Sequence, residues 1–392
     1  MTGDVIRSAG MTTTSGPTAD TAARQVAEAM AGAAAAWLET LAPHQRGLAH
    51  WPGPEDDDAE AERLRWYYTP TDHGGLPLGQ QRPAQQSLAM QLVATGLSRA
   101  GYVTACTVIG WENVLDHLEG WSVDWGRERG RDPGLYYLRV FGTPGGDRPW
   151  GWRFGGHHVS LNNLVVDGRV RSVTPCFLGA DPASAPLLGG ADLRPLGTAE
   201  DLARELVRSL PADLRARAVL LDRAPSDIVG GNRSRLSDGD RMVQLPDVWR
   251  ERFTEPRLLD RVTRMAEGAE AGSGFDEGDH HRLALTTDPK GLPASELDDA
   301  QRELLRTLLS AYVGRVPDGL APDVDLDTVH LAWAGSTEPG QPHYYRLQGG
   351  RLLVEWDNTA RDANHAHSVW RDLRADFGLD VLAEHRARHH AG

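Results

Sequence analysis

The sequence predicts an α+β fold, with an antiparallel sheet built from two hairpin-rich halves and helices packed outside it. Residues 135–175 carry four consecutive short strand patterns separated by turn residues, and residues 328–357 carry three more. Helical patterns precede the strands in each half, at residues 82–97 and 297–312. Successive short strands joined by tight turns pair antiparallel, so the helices are expected to cover the sheet from outside.

The helices follow from apolar residues at helical spacing. An alanine-rich stretch is expected to form one amphipathic helix that ends before Pro43, and Gly101 is expected to separate two later helices. Thr198 and Asp201 give a helix-start signature, in which the threonine caps the helix. In chain order the predicted helices lie at residues 18–41, 82–97, 105–118, 198–210, 256–265 and 297–312, and from about residue 368 onward.

The densest group of chemically capable side chains lies at residues 152–180, WRFGGHHVSLNNLVVDGRVRSVTPCFLGA. If residues 159–166 form a strand, alternation places His158, Ser160 and Asn162 on one face. His157 then shares the opposite, apolar face and is expected to be buried and hydrogen-bonded. The polar face is the one suited to a metal or a polar substrate.

Glycine-containing turns bound this strand on both sides. Gly155 and Gly156 are expected to form the preceding turn, and Asp167-Gly168 predicts a two-residue hairpin turn into the next strand. A short strand is also predicted at residues 65–68, leading into a loop that contains His73.

A second polar cluster lies at residues 351–371, RLLVEWDNTARDANHAHSVWR. Glu355 and Asp357 share one face of a predicted strand. His365 and His367 point the same way if their segment is extended, so both could bind one ion. If a helix starts at His365 instead, the two imidazoles diverge and only one could be a ligand. The sequence leaves both alternatives open.

Two stretches of the chain resemble each other, WGWRFGGHHVSLNN and HYYRLQGGRLLVEWDN. Each has an aromatic-Arg-apolar strand, a Gly-Gly turn and a strand that ends in Asn, which indicates an internal duplication. We therefore expect a disordered lead at residues 1–20 and a single large domain at 21–392. Its halves lie at about 21–215 and 216–392, and residues 222–290 form a lid-like insertion in the second.

Composition excludes several classes of function. The 392 residues are 40% hydrophobic and carry a net charge of -14, which argues against a nucleic-acid or anionic-membrane surface. The two cysteines, Cys106 and Cys176, make neither a disulfide framework nor a cysteine zinc site. Nowhere do eighteen apolar residues occur together, and no signal peptide is evident, so a cytoplasmic protein is expected. The oligomeric state stays open.

Several motifs together resemble one large family of bacterial and fungal proteins known only as a domain of unknown function. They are GWRFGGHHVSLN, PCFLGADPA, HLAWAGS, HYYRL, VEWDN and NHAHSVWRDLRADFG, spread from about residue 65 to residue 385. The resemblance carries no settled chemistry. It implies that a set of positions belongs together, namely His157, His158, Ser160, Asn162, Glu355, Asp357, Asn358, His365, His367 and Arg371.

The function expected from these side chains is that of a metal-dependent enzyme acting on a small molecule. Iron is favoured and points to a non-haem oxidoreductase or oxygenase, while zinc would give a hydrolase and manganese is a further option. The sequence contains no serine-nucleophile elbow, P-loop or dinucleotide fingerprint. The expected metal ligands are His158, Glu355, His365 and His367; the expected catalytic residues are Glu355, Asp357 and Arg371; the expected substrate-binding residues are Ser160, Asn162, Arg153, Arg346 and His73.

An alternative from another class is a non-catalytic protein that binds a small molecule or a peptide. In that interpretation, aromatic side chains form a pocket and Arg153 or Arg346 holds a carboxylate. The aromatic residues concerned are Trp111, Trp152, Trp333, Tyr344 and Tyr345.

Overall fold

The computed structural model describes residues 19–122 and 125–389. In these ranges the helices are α1 (Ala19–Glu39), α2 (Pro43–Ala49), α3 (Asp57–Arg63), α4 (Pro83–Thr95), α5 (Arg99–Leu118), α6 (Gly197–Ser209), α7 (Ala212–Ala218), α8 (Leu245–Trp249), α9 (Pro256–Ser273), α10 (Glu277–Leu283), α11 (Asp299–Val313), α12 (Ala360–Ala363) and α13 (Leu379–His389). The expected disordered lead lies almost wholly outside the described residues.

The strands in the same ranges are β1 (His50–Trp51), β2 (Leu76–Pro77), β3 (Tyr137–Phe141), β4 (Trp150–Gly156), β5 (Val159–Val166), β6 (Arg169–Ser172), β7 (Cys176–Ala180), β8 (Ala185–Pro186), β9 (Asp192–Leu193), β10 (Val219–Leu221), β11 (Leu292–Pro293), β12 (His330–Gly335), β13 (His343–Gly349), β14 (Leu352–Thr359) and β15 (His365–Asp372). All but β8 and β9 belong to one sheet of thirteen strands.

The sheet is mostly antiparallel, which confirms the predicted α+β class. Its strand order is β1-β3-β4-β5-β7-β15-β14-β13-β12-β10, with β2, β6 and β11 paired beside this path. The two parallel pairs, β1 with β3 and β10 with β12, lie at opposite ends. At the centre β7 pairs antiparallel with β15, and Cys176 lies opposite Trp370. Each half of the sheet therefore contributes one contiguous set of strands.

Several features of the first half recur in the second in the same order. In each, a Gly-Leu-Pro segment forms a short strand against the next long one, β2 on β3 and β11 on β12. The glycines, Gly75 and Gly291, have φ of +119° and +98°. A Cβ would lie 2.8 Å from the Leu138 carbonyl oxygen at the first and 2.1 Å from that of Leu331 at the second. Only glycine fits at both positions.

The helices that follow these segments are anchored in the same way. Gln85 of α4 and Gln301 of α11 each accept a hydrogen bond from the backbone N–H three residues earlier. Each side-chain amide then donates to a carbonyl at the end of another helix, Thr40 after α1 and Ser209 in α6. A buried amide with both ends paired fixes how the two helices meet, and the same device occurs in both halves.

The two faces of the sheet have opposite character. One face packs against helices in a large apolar core that includes Trp152, Leu161, Leu178, Trp356 and Trp370. The other face is polar and is covered by the loop around residues 62–75 and by residues 222–290. Buried ion pairs and charged hydrogen bonds hold this cover. The charged side chains on this face of the sheet include Arg139, Arg153, Glu355, Asp357 and Arg371, all of them buried.

The prediction of a terminal helix from about residue 368 is wrong, because the segment is strand β15. This strand pairs with β14 on one side and β7 on the other, so long-range pairing on both edges decides its conformation. The extended alternative therefore holds for His365 and His367. The terminal helix begins at Leu379.

Three smaller predictions also need correction. Helix α5 runs from Arg99 through Gly101, whose missing side chain admits the Arg315 carbonyl oxygen, 2.3 Å from where a Cβ would lie. Thr198 lies inside α6 and makes no cap. Residues 65–68 form no strand.

None of the helices in the described part of the chain is long and apolar enough to span a membrane.

Candidate metal centre

Three imidazoles from distant parts of the chain meet on the polar face of the sheet. His365 and His367 alternate along β15 and so point to the same side. His158 comes from the two-residue turn between β4 and β5 and has a φ of +63°. Its Nε2 lies 2.8 Å from Nε2 of His365. One nitrogen from each of the three histidines lies within 4.8 Å of the others.

A glycine in the intervening strand lets His158 reach this position. β7 lies between β5 and β15, and Gly179 of β7 is directly opposite His367. A Cβ on Gly179 would lie 2.6 Å from Cδ2 of His158. The Gly179 backbone N–H also donates to the His158 carbonyl, at 2.8 Å. Any larger residue at position 179 would push the imidazole away from its two partners.

The turn corrects the basis on which His157 and His158 were distinguished. Gly155 and Gly156 belong to β4, so the turn consists of the two histidines and strand alternation does not apply to them. Both are buried, and their ring centroids lie 3.8 Å apart. His157 is hydrogen-bonded as expected, with Nδ1 2.5 Å from Oε1 of Glu112.

The closeness of the three imidazoles, and the protonation of those of His158 and His365, suit a metal ion. In a tetrahedral site, metal–nitrogen bonds of 2.0–2.1 Å place neighbouring ligand nitrogens about 3.3–3.4 Å apart. The 2.8 Å between His158 and His365 is about half an ångström shorter, so these rings would separate slightly around an ion. Burial, and then the neighbouring histidines, hold the pKa of His158 and that of His365 well below the usual range. Both rings are therefore neutral near pH 7, with a lone pair that can bind a cation.

His367 has a carboxylate on its outer nitrogen. Its Nδ1 lies 2.8 Å from Oδ1 of Asp227 and 3.9 Å from Oδ2 of Asp357. Tyr68 donates its hydroxyl to the other oxygen of Asp227 at 2.7 Å. Burial lowers the pKa of His367, but the Asp227 carboxylate outweighs this and the pKa is raised. This carboxylate–imidazole pair leaves Nε2 for a ligand.

Two further carboxyls, those of Asp181 and Glu112, lie beside the histidines in addition to Asp227 and Asp357. Oδ2 of Asp181 lies 3.7 Å from Nδ1 of His365, and burial raises the pKa of Asp181 to about 6. Burial likewise raises the pKa of Glu112, the partner of His157, to about 8. Burial also raises the pKa of Asp357 to about 8. The carboxyls thus surround the imidazoles from outside.

The histidines form one wall of a cavity of about 310 Å³. This volume falls at the lower end of the range for small-molecule sites, roughly 300–1,000 Å³. The opposite wall is apolar and comes mainly from α9, through Val262, Met265, Ala266 and Ala269, with Leu245 beside them. Trp125, Arg131, Asp181 and Arg361 line the cavity as well. A ligand here meets nitrogen donors on one side and hydrocarbon on the other.

A strained turn leads into β15. Arg361, Asp362 and Ala363 have φ of +53°, +56° and +59°, in the left-handed region that disfavours residues with a Cβ. The turn brings Nε of Arg361 to 3.1 Å from Oδ2 of Asp181. It also pairs Arg361 with Glu119. Backbone strain at the edge of a cavity is common where a segment is held in place for a site.

The structure does not bring Glu355 to the three histidines. Its carboxylate accepts from the backbone N–H groups of Val229 and Gly230, at 2.9 and 2.8 Å, and from the Tyr344 hydroxyl at 2.6 Å. The two backbone donors tie the segment at residues 222–290, which covers this face, to the sheet. Together with the Tyr344 hydroxyl they use the carboxylate oxygens that a metal would need. Arg371 is likewise structural, bonded to Asp376 at 2.5 Å and to the Gly230 carbonyl at 2.6 Å.

The expected substrate-binding residues lie outside the cavity wall. His73 bonds to the Thr69 carbonyl, Arg153 binds Glu62 and nearby carbonyls, and Arg346 donates to the Leu283 carbonyl. Ser160 and Asn162 are buried in the sheet. The aromatic residues of the non-catalytic alternative are also buried in the protein and do not line the cavity, namely Trp111, Trp152, Trp333, Tyr344 and Tyr345.

Sequence analysis missed the outer carboxylates and the cavity wall. Asp227 lies in the insertion that showed no periodic pattern. Glu112 lies inside α5 and is buried against His157. Asp181 and Arg131 lie in loops. A buried acid inside an otherwise apolar helix face was the one signal available, and it pointed to Glu112 alone.

No curated protein and no solved structure matches the chain. Residues 23–379 match the model of a family described as Protein of unknown function (DUF3500). The match covers most of the chain and includes both histidine motifs, so the chain belongs to this family, as its resemblance in sequence indicated.

Proposed function

We propose that the protein is a metal-dependent enzyme that acts on a small molecule, with His158, His365 and His367 as the ligands of one divalent transition-metal ion. One observation carries this proposal: three imidazoles, that of His158 buried and those of His365 and His367 half-buried, converge at the wall of a cavity, and the third has a carboxylate on its outer nitrogen. Histidine ligands with such outer carboxylates are typical of metal sites, because the second bond fixes the tautomer and the ring orientation.

The ligand set favours zinc and a hydrolytic reaction over iron and oxygen chemistry. Non-haem iron oxygenases use two histidines and one carboxylate, and Glu355 would have supplied that carboxylate. Its three hydrogen bonds hold it elsewhere. Three histidines with an open fourth position form one of the ligand sets of catalytic zinc. Such an ion lowers the pKa of a bound water and polarises a substrate carbonyl.

The surrounding residues have separable roles in this proposal. Asp227 orients His367 and is itself held by the Tyr68 hydroxyl. Asp357, buried and 3.9 Å from His367, is a proton acceptor or donor within reach of the site. The apolar side of α9 excludes water and receives the hydrocarbon part of a substrate. The nucleophile is expected to be a water bound to the metal and not a side chain, because a bound zinc ion would lower the pKa of that water.

Metal analysis of the purified protein tests the proposal. The chain should retain about one zinc ion after dialysis, compete with a chromophoric chelator for zinc, and hydrolyse members of a panel of esters and amides. Retention of iron with substrate-dependent oxygen consumption would favour the oxygenase instead. A protein that binds neither metal after incubation with each would contradict the enzyme and favour the non-catalytic binding protein.

A further inference from the structure

We infer that the cavity has a carboxylate-binding position formed by Arg131 and Trp125, so that the substrate is a small monocarboxylate with an apolar body. The inference rests on the proposed function for what happens at the metal. The binding position itself is argued from groups that the metal does not use.

Arg131 is a buried cation with one donor left over. It is 3% exposed and lines the cavity. Its Nε and Nη2 bind the two oxygens of Glu119, at 2.7 and 2.8 Å. Its Nη1 is buried and has no hydrogen-bond partner in the described structure. A guanidinium out of water with an unpaired N–H is costly unless a ligand oxygen completes it.

Trp125 supplies a second donor beside the first. It also lines the cavity, is 6% exposed, and lies with its ring 5.3 Å from the Arg131 guanidinium carbon. Its indole N–H is likewise buried without a partner among the residues that the structure describes. Two neighbouring unpaired N–H groups, one of them charged, match the two oxygens of a carboxylate.

The nearby acids do not cancel this preference. Glu119 pairs with both Arg131 and Arg361, and Asp181 pairs with Arg361 at 3.1 Å. The four side chains alternate in sign, so each acid has a cationic partner, and only Oδ1 of Asp181 among these carboxylate oxygens is buried without a hydrogen-bond partner in the described structure. The spare N–H of Arg131 is therefore available to an anion.

The apolar part of the wall determines the body of the ligand. Leu245, Val262, Met265, Ala266 and Ala269 offer hydrocarbon and no charge. Burial of each additional methylene against this wall should tighten binding about fourfold until the cavity is filled, from roughly 0.8 kcal/mol per CH₂. Among simple acids, a medium-chain one should therefore bind better than acetate.

Ligand-observed NMR titrations with acetate, butanoate, hexanoate and neutral hexanamide test the inference. They use the full-length protein, zinc-loaded and after chelation, because zinc itself binds carboxylates. In both states hexanoate should bind at least tenfold more tightly than hexanamide and more tightly than acetate. Arg131→Met should abolish the preference for the acid. Trp125→Phe, which keeps the ring and removes the N–H, should weaken hexanoate several-fold.

Arg129→Met is the matched control, since Arg129 pairs with Asp116 outside the cavity, and it should change nothing. If Arg131→Met does not fold, Trp125→Phe decides. Equal binding of acid and amide, or hexanoate binding that both variants leave untouched, would overturn the inference. A protein that fails to bind zinc but prefers hexanoate through Arg131 would refute the proposed function alone. A protein that binds zinc but shows no preference for hexanoate through Arg131 would refute the carboxylate-binding position alone.

Discussion

The hairpins β4–β5 and β13–β14 have the same framework and opposite roles. Both have a seven-residue strand, a two-residue turn and an eight-residue strand in matching register. In the first hairpin the turn is His157-His158, buried beside the cavity. In the second it is Gly350-Arg351, exposed and tied to Asp372. The repeat supplies the scaffold twice, and one turn carries the chemistry.

Position in the sheet explains this difference only in part. The first turn lies next to β7, where Gly179 leaves room for an imidazole to reach β15. The two histidines of β15 also occur in one half only, because β7, the strand of the first half that pairs with β15 at the centre of the sheet, carries no histidine. A site between two repeats thus takes one turn from the first half and one strand from the second. Four predictions test or refine the comparison.

The largest effect is expected at the three histidines, one in the turn of the first hairpin and two in β15. His158→Ala, His365→Ala and His367→Ala should each lower zinc affinity by about a thousandfold or more, since each removes a ligand and leaves an incomplete set. Arg351→Ala, which alters the position equivalent to His158 in the second hairpin, should leave affinity unchanged. Competition with a chromophoric chelator gives the affinities. Equal losses in all four variants would mean that the histidines act through folding.

The first residues of the two hairpins differ in their response to acid. Burial lowers the pKa of His343 to about 4, whereas Trp150 at the same register cannot titrate. The unfolded chain gains this proton below about pH 6.5 and the folded chain only near pH 4. Stability is therefore lost as the pH falls between these values, by about 3 kcal/mol in total.

His343→Phe should show a smaller loss than wild type when denaturant unfolding is measured at pH 7 and at pH 4. The comparison of losses cancels the cost of the substitution itself and the titration of the other histidines. An identical loss in both proteins would show that His343 is not the acid-sensitive group.

Glu355 and Asn162 occupy equivalent places, each opposite a buried arginine in the neighbouring strand. Glu355→Gln should cost about 1–3 kcal/mol of unfolding free energy, because an amide cannot accept all three donors. Asn162 has no partner in the described residues for either side-chain polar atom, so Asn162→Leu should be neutral or stabilising. Zinc affinity should be unchanged in both, and a loss of zinc in Glu355→Gln would restore Glu355 as a ligand.

The smallest expected effect concerns the outer carboxylates. Asp227→Asn should weaken zinc binding about 10–100-fold by loosening the orientation of His367. Asp372→Asn, which loosens Arg351 in the second hairpin, should have no effect on zinc. The same chelator competition measures both. An Asp227 variant with wild-type affinity would mean that the strand alone orients His367.

The sequence could predict the fold class and the pairing of His365 with His367 because both depend on local patterns. Strand alternation and Asp-Gly turn chemistry identified the hairpins, and the i, i+2 spacing paired His365 with His367. The sequence could not predict the neighbouring side chains that come from loops. Asp227, Asp181 and Arg131 take their positions from long-range packing, for which a single sequence carries no periodic signal.

The position of Glu355 apart from the three histidines has a related cause. Alternation placed it correctly on the polar face with Asp357, but could not show which polar groups would come to lie over that face. The Glu355 carboxylate accepts hydrogen bonds from the backbone N–H groups of Val229 and Gly230, in the segment that covers this face. The choice between His157 and His158 was reasoned from alternation in residues that form a turn, where strand periodicity has no meaning.

Anomalous diffraction from crystals of the zinc-loaded protein, with data collected on either side of the zinc absorption edge, tests the central claim most directly. The account predicts one strong peak per chain, about 2.0–2.1 Å from a ring nitrogen of each of His158, His365 and His367 and facing the cavity. No peak at these histidines, or a full-occupancy peak bound by other residues, would contradict it.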